Sequence, residues 1–244
     1  MFFPFRDHNP SQRIAYVTFT LIALNILIFL GTYVAQSDQL IARTFFEYGL
    51  IPARLSHGDG YSTILTSMFL HSGYMHLIGN MVFLFIYGDN LEDKLGHIPF
   101  AVFYLLSGLA AGLAQFASEP GSVIPMVGAS GAIAGVMGGY LLLYPKARVD
   151  VFVFFVIFFK VIPIPAWITL GFWFAAQLFN GFSAPAGTGG VAHWAHAGGF
   201  VAGFVLILPL WLASGGPRFW QRTDGHPDHP EAHYGRSNIP TVKR

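Results

Sequence analysis

Six stretches of this sequence, 14–35, 63–87, 98–117, 127–144, 163–182 and 192–213, are mostly apolar. Each is close to the roughly 20 residues that a helix needs to cross a bilayer. A chain of 244 residues that spends this much of its length on such stretches has little left for a water-soluble core. Charge supports the same exclusion. Only 10% of the residues are charged, against roughly 25% in an average soluble domain. The expected fold is therefore all-α, a polytopic membrane protein with a six-transmembrane-helix bundle over 14–213. A short cytoplasmic N-terminus over 1–13 and a polar tail over 214–244 flank it. The tail is rich in Gly and Pro and reads as disordered. Its His226, His229 and His233 could hold a metal, but a solvated tail is the preferred reading. The run 151–159 is apolar but too short to cross. It leads to Lys160, Pro163 and Pro165 and reads as an interfacial segment before the fifth span. The loop 36–62 is long enough to need structure of its own.

Six spans put both ends of the chain on one side, and the basic residues say which. Of the 13 Lys and Arg, all but Arg43 and Arg54 fall in the terminal segments and the even-numbered loops. The positive-inside rule places those segments in the cytoplasm. The net charge of +1 gives no reason to expect nucleic acid, and the absence of Cys removes disulfides, thiolate metal sites and cysteine nucleophiles.

The acidic residues are equally informative. All 12 fall in loops, tails or span ends. Proton-coupled transport and ion conduction usually need an intramembrane carboxylate, so both readings weaken. Any serine–histidine chemistry in the bilayer must also run without a carboxylate from a span.

Ionisable and hydrogen-bonding side chains inside spans tend to be functional. The candidates are His71, His76 and Asn80 in the second span, Ser130 in the fourth, and His193 and His196 in the sixth. These three spans all enter from the outer side. At about 1.5 Å per residue, His76 lies about 7 Å deeper than His71, and Asn80 about 6 Å deeper again. His76 and Asn80 are four apart and share a face. Ser130 and His196 each lie about one turn into their spans, so topology brings the whole set to the outer half of the membrane.

Ser130 stands in Gly128-Ala129-Ser130-Gly131, which leaves its hydroxyl uncovered, and a helix start offers free N–H groups to an oxyanion. Gly131 and Gly135 are four apart, as are Gly199 and Gly203, so both helices carry a small-residue face. Two such faces allow the close approach that a Ser–His hydrogen bond requires. Serine among glycines is by itself usually packing, and a lone histidine decides nothing. The matched depth, the paired glycine faces and the nearby His/Asn pair carry the functional reading together.

These residues resemble the rhomboid family of intramembrane serine proteases. The resemblance rests on His71-Ser72-Gly73-Tyr74-Met75-His76-Leu77-Ile78-Gly79-Asn80, on Gly128-Ala129-Ser130-Gly131, and on Ala195-His196-Ala197-Gly198-Gly199 with Gly203. Gly88-Asp89-Asn90-Leu91-Glu92-Asp93 and Leu95-Gly96-His97 are similar to the family's loop after the second span. The resemblance implies a serine-type endopeptidase with Ser130 as nucleophile and His196 as general base. It implies the Ser130 N–H, His76 and Asn80 as oxyanion donors, and Gly128, Gly131, Gly199 and Gly203 as packing around the site. His193 competes as base, but only His196 is followed three residues later by the Gly199 that the motif demands, so His193 and His71 become site neighbours. No cofactor and no metal are implied. The implied substrates are membrane-anchored proteins cut near the outer leaflet, in a bacterial inner membrane with the site opening outward. The fifth span, with Phe172, Trp173, Phe174 and Phe179, is the candidate lateral gate. The first outer loop lacks the Trp-Arg pair of some relatives, which leaves Arg43 or Arg54 to anchor it.

Two rivals are weighed beside this. A client-binding pseudoenzyme of the same family would lack the serine or the histidine. An intramembrane metal or haem protein would use His71, His76, His193 and His196. On one continuous helix, however, His71 and His76 diverge by roughly 140°, and no H-E-x-x-H occurs.

Overall fold

A computed structural model of the chain describes residues 2–34, 36–155, 158–184, 190–229 and 231–232. In chain order the elements are β1 (Phe2–Asp7), α1 (Tyr16–Phe29, continued by a π-helical turn Leu30–Val34), α2 (Asp38–Tyr48), α3 (Pro52–Ser56) and α4 (Thr63–Thr66, continued by a 3-10 turn Ser67–Phe69). Then come α5 (Tyr74–Leu95), α6 (His97–Ser118), α7 (Ser130–Leu143), β2 (Arg148–Phe155), β3 (Phe158–Pro165), α8 (Ala166–Ser183), α9 (His193–Ala213) and α10 (Pro217–Thr223). The chain does form an α-helical membrane bundle, but among the described residues fewer than the expected six helices are long and apolar enough to cross. Tyr16–Val34, His97–Ser118 and His193–Ala213 are each long and apolar enough to cross a membrane. Thr63–Phe69 with Tyr74–Leu95, a pair bent by 94°, is long and apolar enough when the two helices are taken together.

That bend overturns the continuous second span. The chain leaves helix at Leu70 and re-enters it at Tyr74. His71 therefore sits in the break, and helical rise does not give its position relative to His76. At its other end α5 runs on through 88–95, where a loop was expected. Glu92, one of the polar residues there, is satisfied by other elements. Glu92, almost fully buried, accepts the N–H of Val17 and of Thr18 and the Thr18 hydroxyl, each at 2.8 Å. His97 Nδ1 lies 2.6 Å from Glu92 Oε1, the oxygen that accepts the Val17 N–H. The first N–H groups of a helix have no partner within it, and Ala15 offers α1 no side-chain cap. Glu92 supplies that cap from a different helix. Gly96, at φ +84, a value that favours glycine, turns the chain directly from α5 into α6.

The central element is α7. Its 14 residues span about 21 Å at 1.5 Å per residue, short of the roughly 30 Å hydrocarbon layer. Every residue of it except Ser130 and Leu141 is buried. Its N-terminus therefore begins inside the bundle. Glycines let α9 lie directly on it. A Cβ at Gly199 would fall on the Gly131 carbonyl, and one at Gly203 on the backbone of Gly135. Without a hydrophobic drive between helices in lipid, such close van der Waals contact is what holds them.

A three-stranded antiparallel sheet, order β1-β2-β3, stands beside the helices and was not expected. Of the segment 151–159, the described residues 151–155 and 158–159 belong to its paired strands β2 and β3, with Val149 opposite Ile164 and Val151 opposite Ile162. Proline, which cannot donate to a ladder, is confined to the two edge strands, as Pro4 in β1 and Pro163 and Pro165 in β3. Asp150 fastens β2 to the N-terminal segment through Arg6 Nε at 3.0 Å and His8 Nε2 at 2.7 Å. Burial works to raise the Asp150 carboxyl, but the bonds to His8 and Arg6 outweigh it and hold it below the usual range.

The described start of the polar tail is also ordered, contrary to expectation. Pro217 opens α10, Phe219 is fully buried, and Trp220 Nε1 donates to the Leu142 carbonyl at 2.9 Å. That carbonyl belongs to the last turn of α7, where helix carbonyls lack partners. His226 pairs with Glu231 at 3.1 Å, whereas His233 lies outside the described residues. In the first long loop Arg54 is the anchor. It donates to Asp59 Oδ2 from Nε at 3.0 Å and to the Phe46 carbonyl at 3.1 Å, while Arg43 reaches only Glu47, at 4.0 Å.

Candidate active site

Ser130 is the first residue of α7, and His196 lies one turn into α9. The glycine contact between the two helices brings the Ser130 Oγ to 2.7 Å from His196 Nε2. The strand of loop leading to Ser130 is fixed by the Gly128 N–H, which donates to the Ser67 carbonyl at 2.9 Å. Gly128 has φ +130, and a Cβ there would meet the His76 ring at 2.8 Å. Glycine is required on both counts.

Around this pair lies a cavity of about 730 Å³. Ser72, His76, Asn80, Ser130, His193 and His196 all contribute to its wall. On α5, the Ser72 N–H donates to His76 Nδ1 at 3.4 Å, and the Ser72 hydroxyl is 3.0 Å from the same atom. A nitrogen that accepts carries no proton, so the ring proton is on Nε2, the edge facing Gly128. One turn further on, Asn80 is 7% exposed, and its Nδ2 has no partner among the described residues. A buried donor without an acceptor costs stability, and this one stands in the wall of the cavity. The first N–H groups of α7 add to it, since Ala129 provides no side-chain cap. The cavity thus gathers a hydroxyl, an imidazole that can take its proton, and several hydrogen-bond donors without acceptors.

The remaining predicted residues fall into place around these. Gly131, Gly199 and Gly203 form the α7–α9 seam described above. His71 is fully buried and packs edge-on against His76 with ring centroids 5.1 Å apart. The 140° divergence expected of a continuous helix fails because of the break at Leu70–Gly73. Among the described residues, no three His, Cys, Asp or Glu side chains are grouped to hold a metal ion.

Two side chains at the site, Gln177 and Gln115, were missed by reading the sequence for ionisable groups alone, and a third, Trp173, was read only as part of the gate. Gln177 of α8 is buried, and its Oε1 lies 2.9 Å from both His196 Nδ1 and His193 Nδ1. Trp173, one turn earlier, lies against the His196 ring at 5.6 Å between centroids. Gln115 of α6 accepts the Ala195 N–H at 3.3 Å, one of the free donors at the start of α9. The signal was present, since each is a hydrogen-bonding group in an otherwise apolar stretch. Of the four aromatics expected to form one wall, Phe172 and Phe179 face outward, whereas Trp173 and Phe174 face in, Phe174 stacking on Phe200 at 4.6 Å.

Fold and site together define an integral membrane helix bundle with a serine–histidine pair set inside it. A family model described as the Rhomboid domain matches residues 58–213, and the chain belongs to the rhomboid family. It is similar to "Rhomboid-like protein 11, chloroplastic" of Arabidopsis thaliana, 27% identical over 86% of this chain and 69% of the relative. It is similar to "Rhomboid protease GluP" of Bacillus subtilis, 30% identical over 82% of this chain and 36% of the relative. It also resembles "Putative rhomboid protease YdcA" of the same bacterium, 32% identical over 52% of this chain and 61% of the relative. The chain thus spans between about a third and about two thirds of the length of these proteins.

Proposed function

We propose that the chain is an intramembrane serine endopeptidase that cleaves membrane-anchored proteins, with Ser130 as nucleophile and His196 as general base. One observation carries the reading. The Ser130 hydroxyl is 2.7 Å from His196 Nε2 in the wall of a cavity that also holds the unpaired Asn80 Nδ2. The Ser130 Oγ attacks a substrate carbonyl carbon while His196 Nε2 takes its proton. The Asn80 Nδ2, the His76 Nε2–H and the N–H of Ser130 donate to the resulting oxyanion. His196 then protonates the leaving amine, which frees an ester on Ser130. Water from the cavity, deprotonated in turn by His196, attacks that ester and restores the hydroxyl. A stable helix hides its carbonyls in its own hydrogen bonds, so the substrate segment must be unwound where it is cut.

Two further parts belong to this proposal. The wall that moves to admit substrate is α8, which buries only Ala166, Leu170 and Gln177 among its 18 residues. The basic ends of the bundle face the cytoplasm of a bacterial inner membrane and the cavity opens outward. The distribution of Lys and Arg supports that orientation.

The central test is labelling by a fluorophosphonate probe in detergent. The parent chain is expected to label, and Ser130→Ala and His196→Ala are expected to lose labelling. Labelling that survives Ser130→Ala would sink the assignment. Because the chain has no Cys, single cysteines report the orientation. Gln39→Cys should react with an impermeant maleimide added outside intact cells, and Arg222→Cys should not.

A further inference from the structure

We infer that Gln177 is a positioning residue for His196, a neutral third member behind the serine–histidine pair. The inference rests on the assignment of Ser130 and His196 proposed above. A general base must present a bare Nε2 to the serine, so its ring proton must sit on Nδ1. Left alone, an imidazole can adopt either tautomer, and the wrong one places a proton between Nε2 and the hydroxyl. Something has to accept from Nδ1. Serine hydrolases commonly use a carboxylate for this, but among the described residues the hydrogen-bond partners of the His196 ring are Gln177 and Ser130. Glu92, the buried carboxylate on α5, is 16 residues beyond His76, about 24 Å along the helix.

Gln177 meets the need without charge. Its Oε1 lies 2.9 Å from His196 Nδ1. The orientation of the amide is fixed by its other end, where Nε2 faces the Trp173 carbonyl at 3.5 Å. A carbonyl can only accept, so the NH₂ group must be on that side and the oxygen on the side of the histidines. The two lone pairs of Oε1 are then filled by two ring N–H groups, His196 and His193, which explains why two perpendicular histidines converge there. Trp173, on the same face of α8, covers the His196 ring and limits its rotation. Both restraints on the base come from α8, so His196 is held in register only while that helix is seated against α9. A neutral acceptor suits this depth, because an unpaired carboxylate would carry a large desolvation cost.

The experiment uses the full chain in detergent and compares Gln177→Leu and Gln177→Glu with the parent and with Ser130→Ala. The readouts are kcat and KM on a membrane-anchored peptide, probe labelling, and the pH dependence of kcat/KM. Gln177→Leu keeps the volume and loses the acceptor. It should lower kcat and the labelling rate by about tenfold or more, with KM within about twofold. Gln177→Glu restores an acceptor and should recover most of kcat. A carboxylate favours the imidazolium form, so the acid limb of its profile should move to higher pH. The other titratable groups facing the ring are His193 of α9 and His76 of α5, and neither is altered. Unchanged kcat and pH profile in Gln177→Leu overturn the inference, and so does an unmoved limb in Gln177→Glu. The second arm decides alone if the leucine variant fails to fold. Labelling that persists in Ser130→Ala overturns the underlying assignment, whereas its loss there beside a fully active Gln177→Leu overturns the role of Gln177 alone.

Discussion

Near its two ends α5 places two buried polar side chains, Glu92 and Asn80, in opposite situations. At the end that carries Glu92, each of its carboxylate oxygens has partners, four in all, drawn from Val17, Thr18 and His97. At the end that carries His76 and Asn80, a buried amide donor has none, and it faces a cavity. A satisfied buried network adds rigidity, and an unsatisfied one lowers stability. One helix thus joins a region built to hold the bundle together with a region that keeps donors open for a charge not yet present. Substitutions at the first end should change stability and leave the chemistry alone. Substitutions at the second should do the reverse.

The seam between α7 and α9 is the place where the two regions cannot be separated, so it should show the largest effect. Gly203→Ala sets a methyl group on the backbone of Gly135. The helices must part, and the 2.7 Å contact between Ser130 and His196 must open with them. Probe labelling should fall by about 100-fold or more, and overpacking should cost about 1–3 kcal/mol of stability. Parent-like labelling and melting would mean that the seam does not set the Ser–His distance.

Next in size is Asn80→Ala. Removing an oxyanion donor typically lowers turnover by roughly 10²-fold to 10³-fold. Because this donor is unpaired in the resting protein, its removal should leave the melting temperature unchanged or raise it. A variant with full turnover and a lowered melting temperature would invert the comparison and assign Asn80 to the framework. At the far end of the same helix, Glu92→Ala strips the cap from α1. It leaves the N–H groups of Val17 and Thr18 buried without acceptors, a loss of about 2 kcal/mol. Turnover per folded molecule should stay at the parent level, and a selective fall in it would show that the two ends are coupled.

How much of this could be read from sequence follows the same division. Ser130, His196 and the glycine seam were legible because matched depth and four-residue spacing are local patterns that a helix must obey. The break at Leu70–Gly73 was not, because apolar residues on both sides average it into a single long stretch. The sheet was hidden for another reason. β1 pairs with residues nearly 150 positions away, and such pairing leaves no local signature beyond a few β-branched and aromatic residues. Gln177 and Gln115 escaped because a search for ionisable groups passes over neutral amides. Yet inside a membrane bundle an amide is as strong a sign of a partner as a charge. The same bias hid α10, whose Phe219 is buried and whose Trp220 is partly buried in a segment that reads as polar on average.

The smallest expected effect tests whether the ordered end is as fully satisfied as Glu92 suggests. Asp7 of β1 receives the Asn90 side-chain amide at 2.8 Å and the Tyr140 hydroxyl at 3.4 Å. Burial, reinforced by the neighbouring carboxylate of Asp89, pushes Asp7 from 3.8 up to about 8. The sign of the consequence is fixed by that direction. A group whose folded value is raised contributes stability that is complete below the unfolded value and is lost as pH rises through the folded one. Asp7 should therefore make the parent chain progressively less stable between about pH 4 and about pH 8. Asp7→Asn keeps the shape and cannot ionise, so its melting temperature should vary less across that window. The gain at the alkaline end is read as the difference between two melting curves taken at pH 5 and pH 8.5. Parallel slopes in parent and variant would show that Asp7 is already ionised and paired, and that this end of the bundle stores no electrostatic strain at all.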